Sequence, residues 1–212
     1  MILIGQFDSP FVRRVAVTLQ VFGMPFEHRD WSVGRDFDRI RGFNPLGRVP
    51  TLVLASGESL VDSAAILDYL DEVAGVERAL LPAAGTARRA ALQLMALATG
   101  AADKGVLQIY ETVFRPEEKR HAPWTMRCRL QMLAALEELE KRTAARGDDW
   151  LVGDRFTQAD LTVACVLGFL RDALGVNRDG AEYPALARLS ARCEALPAFL
   201  AVPVPVFGAP NG

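Results

Sequence analysis

Three short stretches of this 212-residue chain carry polar groups where they can do chemistry. In Asp8-Ser9-Pro10, Pro10 suits a first helical position and Ser9 or Asp8 can cap the open backbone N–H groups. A hydroxyl held there stands at the positive end of a helix dipole and can donate to an anion. From the dipeptide alone, a plain N-cap is the commoner use. In Asp62-Ser63, the carboxylate suits an ammonium, while the hydroxyl and the helix N–H groups beside it suit a carboxylate. That pair reads equally well as a second helix cap. In Arg48-Val49-Pro50, a proline opens a β-type run, and the arginine before it is either a carboxylate partner or a solvated loop cation.

The remaining chemistry-bearing types are sparse. Cys128, Cys165 and Cys193 are odd in number and far apart, without a Cys-x-x-Cys pair, so neither a secreted disulfide framework nor a zinc site is expected. They sit in helical stretches and read as small core residues. His28 and His121 are too isolated for a multi-histidine metal site. No cysteine precedes Cys128 and no tyrosine precedes Tyr69. The net charge of -2 and the absence of long like-charge runs argue against a nucleic-acid partner. The longest apolar stretch, Leu161 to Leu170, is about half of what a bilayer requires. No basic start followed by an apolar run marks a leader. The expectation is a cytoplasmic protein with no membrane span.

Elements must hold the polar residues in place. Met1 to Gly5 is a short apolar run that suits a buried strand. A helix follows from Pro10, with Val12, Val15, Ala16 and Leu19 on one face and Gly23 at its end. Pro25 to Trp31 reads as a weaker strand, and Asp36 to Phe43 as a short helix. Val49 to Leu54, the turn at Ser56-Gly57, and Glu58 to Val61 form a hairpin. Asp62-Ser63 then opens a helix with Ile66, Leu67 and Leu70 on one face, stopped by Gly75. The order is β-α-β-α-β-β-α around a mixed four-stranded sheet.

After a Pro/Gly-containing linker at 77–85, β signals vanish. Arg88 to Phe114 is a long helix weakened by Gly100 and Gly105. Trp124 to Arg146 carries Met132, Leu133, Leu136 and Leu139 inward and Glu137, Glu138, Glu140 and Lys141 outward. Thr157-x-x-Asp160 is a capping box before a helix that is apolar nearly all round, hence buried. Asp160 is thus a folding signal. Pro184 to Leu196 is a further helix, Pro197 opens a short last one, and Pro203, Pro205 and Pro210 make the tail irregular. The expected domains are 1–76 and an all-α bundle at 86–212.

Three segments in register resemble the glutathione S-transferase superfamily, in particular its bacterial-type members with a serine active site. They are Ser9-Pro10-Phe11-Val12-Arg13-Arg14-Val15, then Asn44-Pro45-Leu46-Gly47-Arg48-Val49-Pro50-Thr51-Leu52, then Leu60-Val61-Asp62-Ser63-Ala64-Ala65-Ile66-Leu67-Asp68-Tyr69-Leu70. The helical half adds Leu151-Val152-Gly153-Asp154 with Thr157-x-x-Asp160. The resemblance implies a thioredoxin-like N-terminal domain, a helical C-terminal domain, a homodimer, and glutathione as co-substrate without a metal.

It also implies roles for residues. Ser9 would stabilise the glutathione thiolate, because the tyrosine- and cysteine-type members need a residue near the start of the chain, where no tyrosine precedes Tyr69 and no cysteine precedes Cys128. Lowering a thiol from about 8.5 to about 6.5 takes roughly 2.7 kcal/mol. A helix N-terminus offers roughly 0.3–1 kcal/mol and a hydrogen bond to a charged group roughly 1.5–3 kcal/mol, so a hydroxyl there roughly meets the need. Val49, before a cis Pro50, would pair with the extended tripeptide like an added strand. Arg48 would help hold a carboxylate. Asp62 and Ser63 would hold the γ-glutamyl end, with Asp62 standing where Glu is more usual. Phe11, Tyr110 and Phe114 would line the electrophile pocket. Asp103 corresponds to an acidic residue that in dimeric relatives can reach the partner's glutathione amine, but reads better as an ordinary exposed helix carboxylate. Conjugation to a small electrophile, or else a weak peroxidase reaction, is the implied chemistry. The alternatives are a non-catalytic glutathione, hydrophobic-ligand or protein-binding module on the same scaffold, and an isomerase, whose extra Ser and Cys the Ser9-Pro10-Phe11 stretch lacks.

Overall fold

A computed structural model of the chain describes residues 1–204; Pro205 and Pro210 of the expected irregular tail lie outside the described residues. The chain forms two compact units. Among the described residues, the first comprises Met1–Ala83 together with residues 194–204, and the second Ala84–Cys193.

The first unit follows the expected order: β1 (Ile2–Ile4), α1 (Pro10–Phe22), β2 (Glu27–Arg29), α2 (Phe37–Arg41), β3 (Thr51–Val53), β4 (Ser59–Val61) and α3 (Ser63–Ala74). The strands form one mixed sheet in the order β2-β1-β3-β4, with β1 parallel to β2 and the other pairs antiparallel. Register matters more here than length. Ile4 pairs with Arg29 on one side and Thr51 on the other, and Thr51 pairs with Val61. The chain therefore leaves β1, leaves β2, enters β3 and leaves β4 at one end of the sheet.

The pleat sends alternate residues to opposite faces. Ile4 and Val53 face a buried cluster with Ile40 of α2, against which Ile2, Trp31, Val33, Phe43 and Val49 also pack. Leu3 and its partner Leu52 point the other way and are fully buried, as are Val12, Val15 and Leu19 of α1 and Ile66 and Leu70 of α3. Burying each such side chain contributes roughly 1.5–3 kcal/mol.

The second unit holds α4 (Gly85–Val113), a 3-10 turn (Glu117–Lys119), α5 (Ala122–Ala144), α6 (Gln158–Leu174) and most of α7 (Pro184–Glu194). Helix α6 is buried from Gln158 to Leu170. Its capping box is formed: Thr157 Oγ1 accepts the Ala159 N–H, and Asp160 Oδ2 accepts the Thr157 N–H at 2.8 Å. None of the three cysteines forms a disulfide, and all are buried.

Two features differ from the sequence expectations. Glu140, expected outward, is half-buried, and its carboxylate accepts the N–H groups of Ala185 and Leu186, both at 2.9 Å. It satisfies the open N-terminus of α7 from a helix 45 residues away, which helical periodicity does not reveal. The expected division at 1–76 and 86–212 also differs from the compact units at the C-terminal end. There α8 (Pro197–Leu200) belongs with the first unit. Buried Arg13 of α1 explains it. Its Nη2 donates to Glu194 Oε2 at 2.7 Å, its Nε donates to the Val202 carbonyl at 3.3 Å, and its guanidinium lies 5.3 Å from the Phe199 ring centroid.

Candidate active site

Ser9 stands at the N-cap of α1 in extended conformation, half-buried, and its Oγ accepts the Val12 N–H at 3.4 Å. Accepting from the backbone leaves the hydroxyl proton available for an anion at the helix start. The loop leading to it is braced by β2. The Gly5 N–H donates to the Arg29 carbonyl at 3.0 Å, and the Gly5 carbonyl lies 2.8 Å from His28 Nε2, which must therefore carry a proton. The His28 ring stacks on Phe7 with centroids 3.8 Å apart.

Gly5 itself has φ +129°, and a Cβ there would fall 2.5 Å from Val12 Cγ2 and 2.8 Å from Val49 Cβ. Only glycine lets the first turn of α1 and the Val49 loop close on the same point. Asp8, just before Ser9, has its carboxyl pushed above the usual range by burial, with the Asp30 charge adding to that and the Ser9 amide opposing it.

The Val49–Pro50 peptide is cis, as the resemblance implies. Pro50 is buried, Val49 half-buried and Arg48 exposed. Buried Asn44 shapes this loop: its Nδ2 donates to the Arg48 carbonyl at 2.8 Å and its Oδ1 accepts the Leu46 N–H at 3.0 Å. Ladder pairing of β3 starts at Thr51, so Val49 lies just beyond it.

At the third segment, Asp62 caps α3, its Oδ1 accepting the Ala64 N–H at 2.8 Å. It is exposed and holds φ 69°, ψ 127°, a conformation that side chains other than glycine rarely adopt. Such strain costs roughly 1–3 kcal/mol and persists where the surroundings impose it, often at functional sites. Ser63 is buried, and its Oγ accepts a hydrogen bond from Arg14 Nη2 at 2.6 Å.

Ser9, Val49, Asp62 and Ser63 thus come together at the end of the sheet where β1 and β4 finish and β3 begins. Phe11 is half-buried on α1 of this unit. Tyr110 and Phe114 belong to α4 of the second unit, exposed by 39% and 54%, and pack edge to face with centroids 4.9 Å apart. Asp103 is exposed on α4. Among the described residues, no group of three or more His, Cys, Asp or Glu is placed to hold a metal ion, and no helix is long and apolar enough to cross a membrane.

Residue spacing offered Asp8 only as an alternative cap and gave Arg14, His28 and Gly5 no part in the site. The one visible signal was the basic pair Arg13-Arg14 inside a helix whose neighbours Val12, Val15 and Ala16 are core.

Residues 3–78 match the family model of the glutathione S-transferase N-terminal domain, and residues 104–197 that of the glutathione S-transferase C-terminal domain. The chain belongs to the glutathione S-transferase family. Within the family it is 32% identical over 170 residues to the uncharacterised GST-like protein YibF of Escherichia coli K12, covering 80% of this chain and 82% of that one. It is 28% identical to a probable maleylacetoacetate isomerase of Vibrio cholerae, over 94% of this chain and 93% of the other. Among solved structures, it resembles a Methylobacterium radiotolerans glutathione S-transferase crystallised with glutathione sulfonate. That likeness has a TM-score of 0.87 and 35% identity, and covers 96% of this chain and 95% of that one. The four-stranded mixed sheet followed by a helical domain is the fold of this family.

Proposed function

We propose that this protein is a serine-type glutathione transferase, a cytoplasmic homodimer that conjugates glutathione to small hydrophobic electrophiles. One observation carries the reading. The ends of β1 and β4 and the start of β3 share one end of the sheet, and the segments carrying Ser9, Val49 and Asp62-Ser63 adjoin it, which supports seating an extended tripeptide with a charged γ-glutamyl end there. The glutathione sulfonate complex of the Methylobacterium relative supports the same ligand.

In this reading the γ-glutamyl ammonium meets Asp62 and its carboxylate meets Ser63 and the start of α3. The cysteinyl backbone adds to Val49, and Arg48 assists a carboxylate. The sulfur comes to the start of α1, where Ser9 donates its hydroxyl proton to the thiolate as a hydrogen bond and the helix dipole lowers the anion's energy further. The thiolate then attacks the electrophile. With a chlorinated nitrobenzene, the new sulfur–carbon bond forms as chloride leaves. Phe11 supplies apolar surface for the electrophile on this unit.

Ser9→Ala tests this. A lost hydrogen bond to a charged group is worth roughly 1.5–3 kcal/mol, so kcat/KM should fall about 10- to 150-fold, with the bound thiol titrating higher. Full kcat/KM in the variant would remove Ser9 from the mechanism. The isomerase relative supplies a second reading, glutathione-dependent isomerisation, distinguished by turnover of a cis-alkene diacid without consumption of glutathione. Glutathione binding with no turnover of any electrophile would instead indicate a binding module.

A further inference from the structure

We infer that His28 is a positioning residue for Ser9, acting through the loop Gly5-Gln6-Phe7-Asp8 that leads from β1 to α1. The inference rests on the reading that the Ser9 hydroxyl stabilises a glutathione thiolate. His28 is the middle residue of β2 and pairs with Leu3 of β1, so its side chain stands on the same face of the sheet as Leu3. From there it reaches past the end of β1 and holds the loop at two points. Its Nε2 lies 2.8 Å from the Gly5 carbonyl, and its ring stacks on Phe7 with centroids 3.8 Å apart and planes 5° from parallel. A carbonyl only accepts, so Nε2 is the donor.

These two contacts fall where the loop is most free to move. Gly5 holds φ +129°, and a glycine backbone turns easily. Its N–H donates to the Arg29 carbonyl at 3.0 Å, and His28 takes its carbonyl, so β2 fixes both polar groups of that one residue. The stack then fixes Phe7. The Ser9 N–H donates to the Gln6 carbonyl at 3.2 Å, a turn that carries the placement on to the hydroxyl. The helix cap does less of this. Ser9 Oγ accepts the Val12 N–H at 3.4 Å, longer than the ordinary N–H to oxygen range, so the cap holds the hydroxyl loosely and the loop completes its placement.

The consequence falls on the thiolate. A hydrogen bond to an anion keeps its strength only when short and well aligned. A misplacement of about 1 Å can cost about 100-fold in rate, which bounds the effect. Binding of glutathione as the thiol rests in this reading on Val49, Asp62 and Ser63, none of which His28 holds. Loss of His28 therefore raises the titration of the bound thiol and leaves the binding of glutathione in place.

Ultraviolet titration of the glutathione complex against pH, with steady-state turnover of a chlorinated nitrobenzene, tests this on the full chain. The variants are His28→Ala, His28→Gln and His28→Phe. In His28→Ala the bound thiol should titrate about one pH unit above wild type, which cuts the thiolate fraction about 10-fold at any pH below both values. A more basic thiolate is the better nucleophile, so kcat at that pH should fall about 3- to 10-fold. Glutathione binds there as the thiol, so its KM should stay within about 2-fold. His28→Gln keeps a donor amide at about the reach of Nε2, and His28→Phe keeps a ring on Phe7. Each should fall between wild type and His28→Ala. If His28→Ala does not fold, His28→Gln decides in its place, through a rise of about 0.3 pH unit or more. An unchanged thiol titration in the folded variants, or a loss that falls on KM with kcat retained, would reduce His28 to packing. Either would overturn the inference and leave the serine reading intact. A wild type whose bound thiol titrates as free glutathione does, and equally in Ser9→Ala, would overturn both.

Discussion

At the scale of single residues, Asp62 concentrates the tension between folding and function. Its backbone is one that glycine would adopt freely, yet a carboxylate stands there. Asp62→Gly should relieve roughly 1–3 kcal/mol of strain. It should forfeit only a few tenths as an N-cap, because glycine is a tolerable cap. The expected result in urea unfolding is a protein about 1 kcal/mol more stable, while calorimetry shows glutathione bound about 10-fold more weakly for want of the ammonium partner. Loss of stability with unchanged affinity would make Asp62 a cap and nothing more. Asp8, beside Ser9, is also set apart by its surroundings, since burial and the charge of Asp30 favour its protonated form.

At the scale of elements, two glycines of α4 read alike in sequence and differ in space. A Cβ on Gly100 would meet nothing within 4 Å, whereas one on Gly105 would fall 2.6 Å from Leu170 Cδ2 and 3.2 Å from Phe169 Cε1 on α6. Gly100→Ala should therefore raise stability by about 0.5–1 kcal/mol through helix propensity. Gly105→Ala gains the same propensity but overpacks by roughly 1–3 kcal/mol, for a net loss near 1 kcal/mol. Thermal unfolding of both variants would show Tm moving in opposite directions.

The α6 capping box makes a second prediction. Burial pushes the Asp160 carboxyl above 3.8, outweighing the Leu151 N–H and the Thr157 hydroxyl and N–H that bond to it. Above 3.8 and up to its folded value, the folded state holds more protons than the unfolded chain, so stability from this group falls as pH rises. Urea titrations from about pH 3 to about pH 6 should show that slope in the wild type and not in Asp160→Asn. The variant should be less stable throughout because it has fewer acceptors.

At the scale of the whole molecule, Arg13 ties the segment from Glu194 to Val202 to the helix that carries Ser9. Glu194→Ala would leave a guanidinium buried without its carboxylate. Glu194 is itself 31% exposed, so the loss should be about 2–3 kcal/mol, below the roughly 3–5 kcal/mol of a fully buried pair. Urea unfolding with an unchanged m-value would record it, and an unaffected midpoint would show that the pair contributes nothing. Local pattern was enough to read the strand and helix order, the capping box and the buried α6, because each depends on residues within a few positions of one another. The same holds for Ser9, Val49-Pro50 and Asp62-Ser63 as polar groups at element ends. Other features depended on tertiary contact. Gly5 closes on Val12 and Val49, Arg14 meets Ser63 across 49 residues, Glu140 caps α7, and Arg13 reaches Glu194 across 181 residues. A hydrogen bond or ion pair between positions far apart in the chain has no period and no required spacing. Sequence alone therefore determined which residues could meet a ligand, and the packing of α1 against the sheet and α3 decided which buried groups orient them.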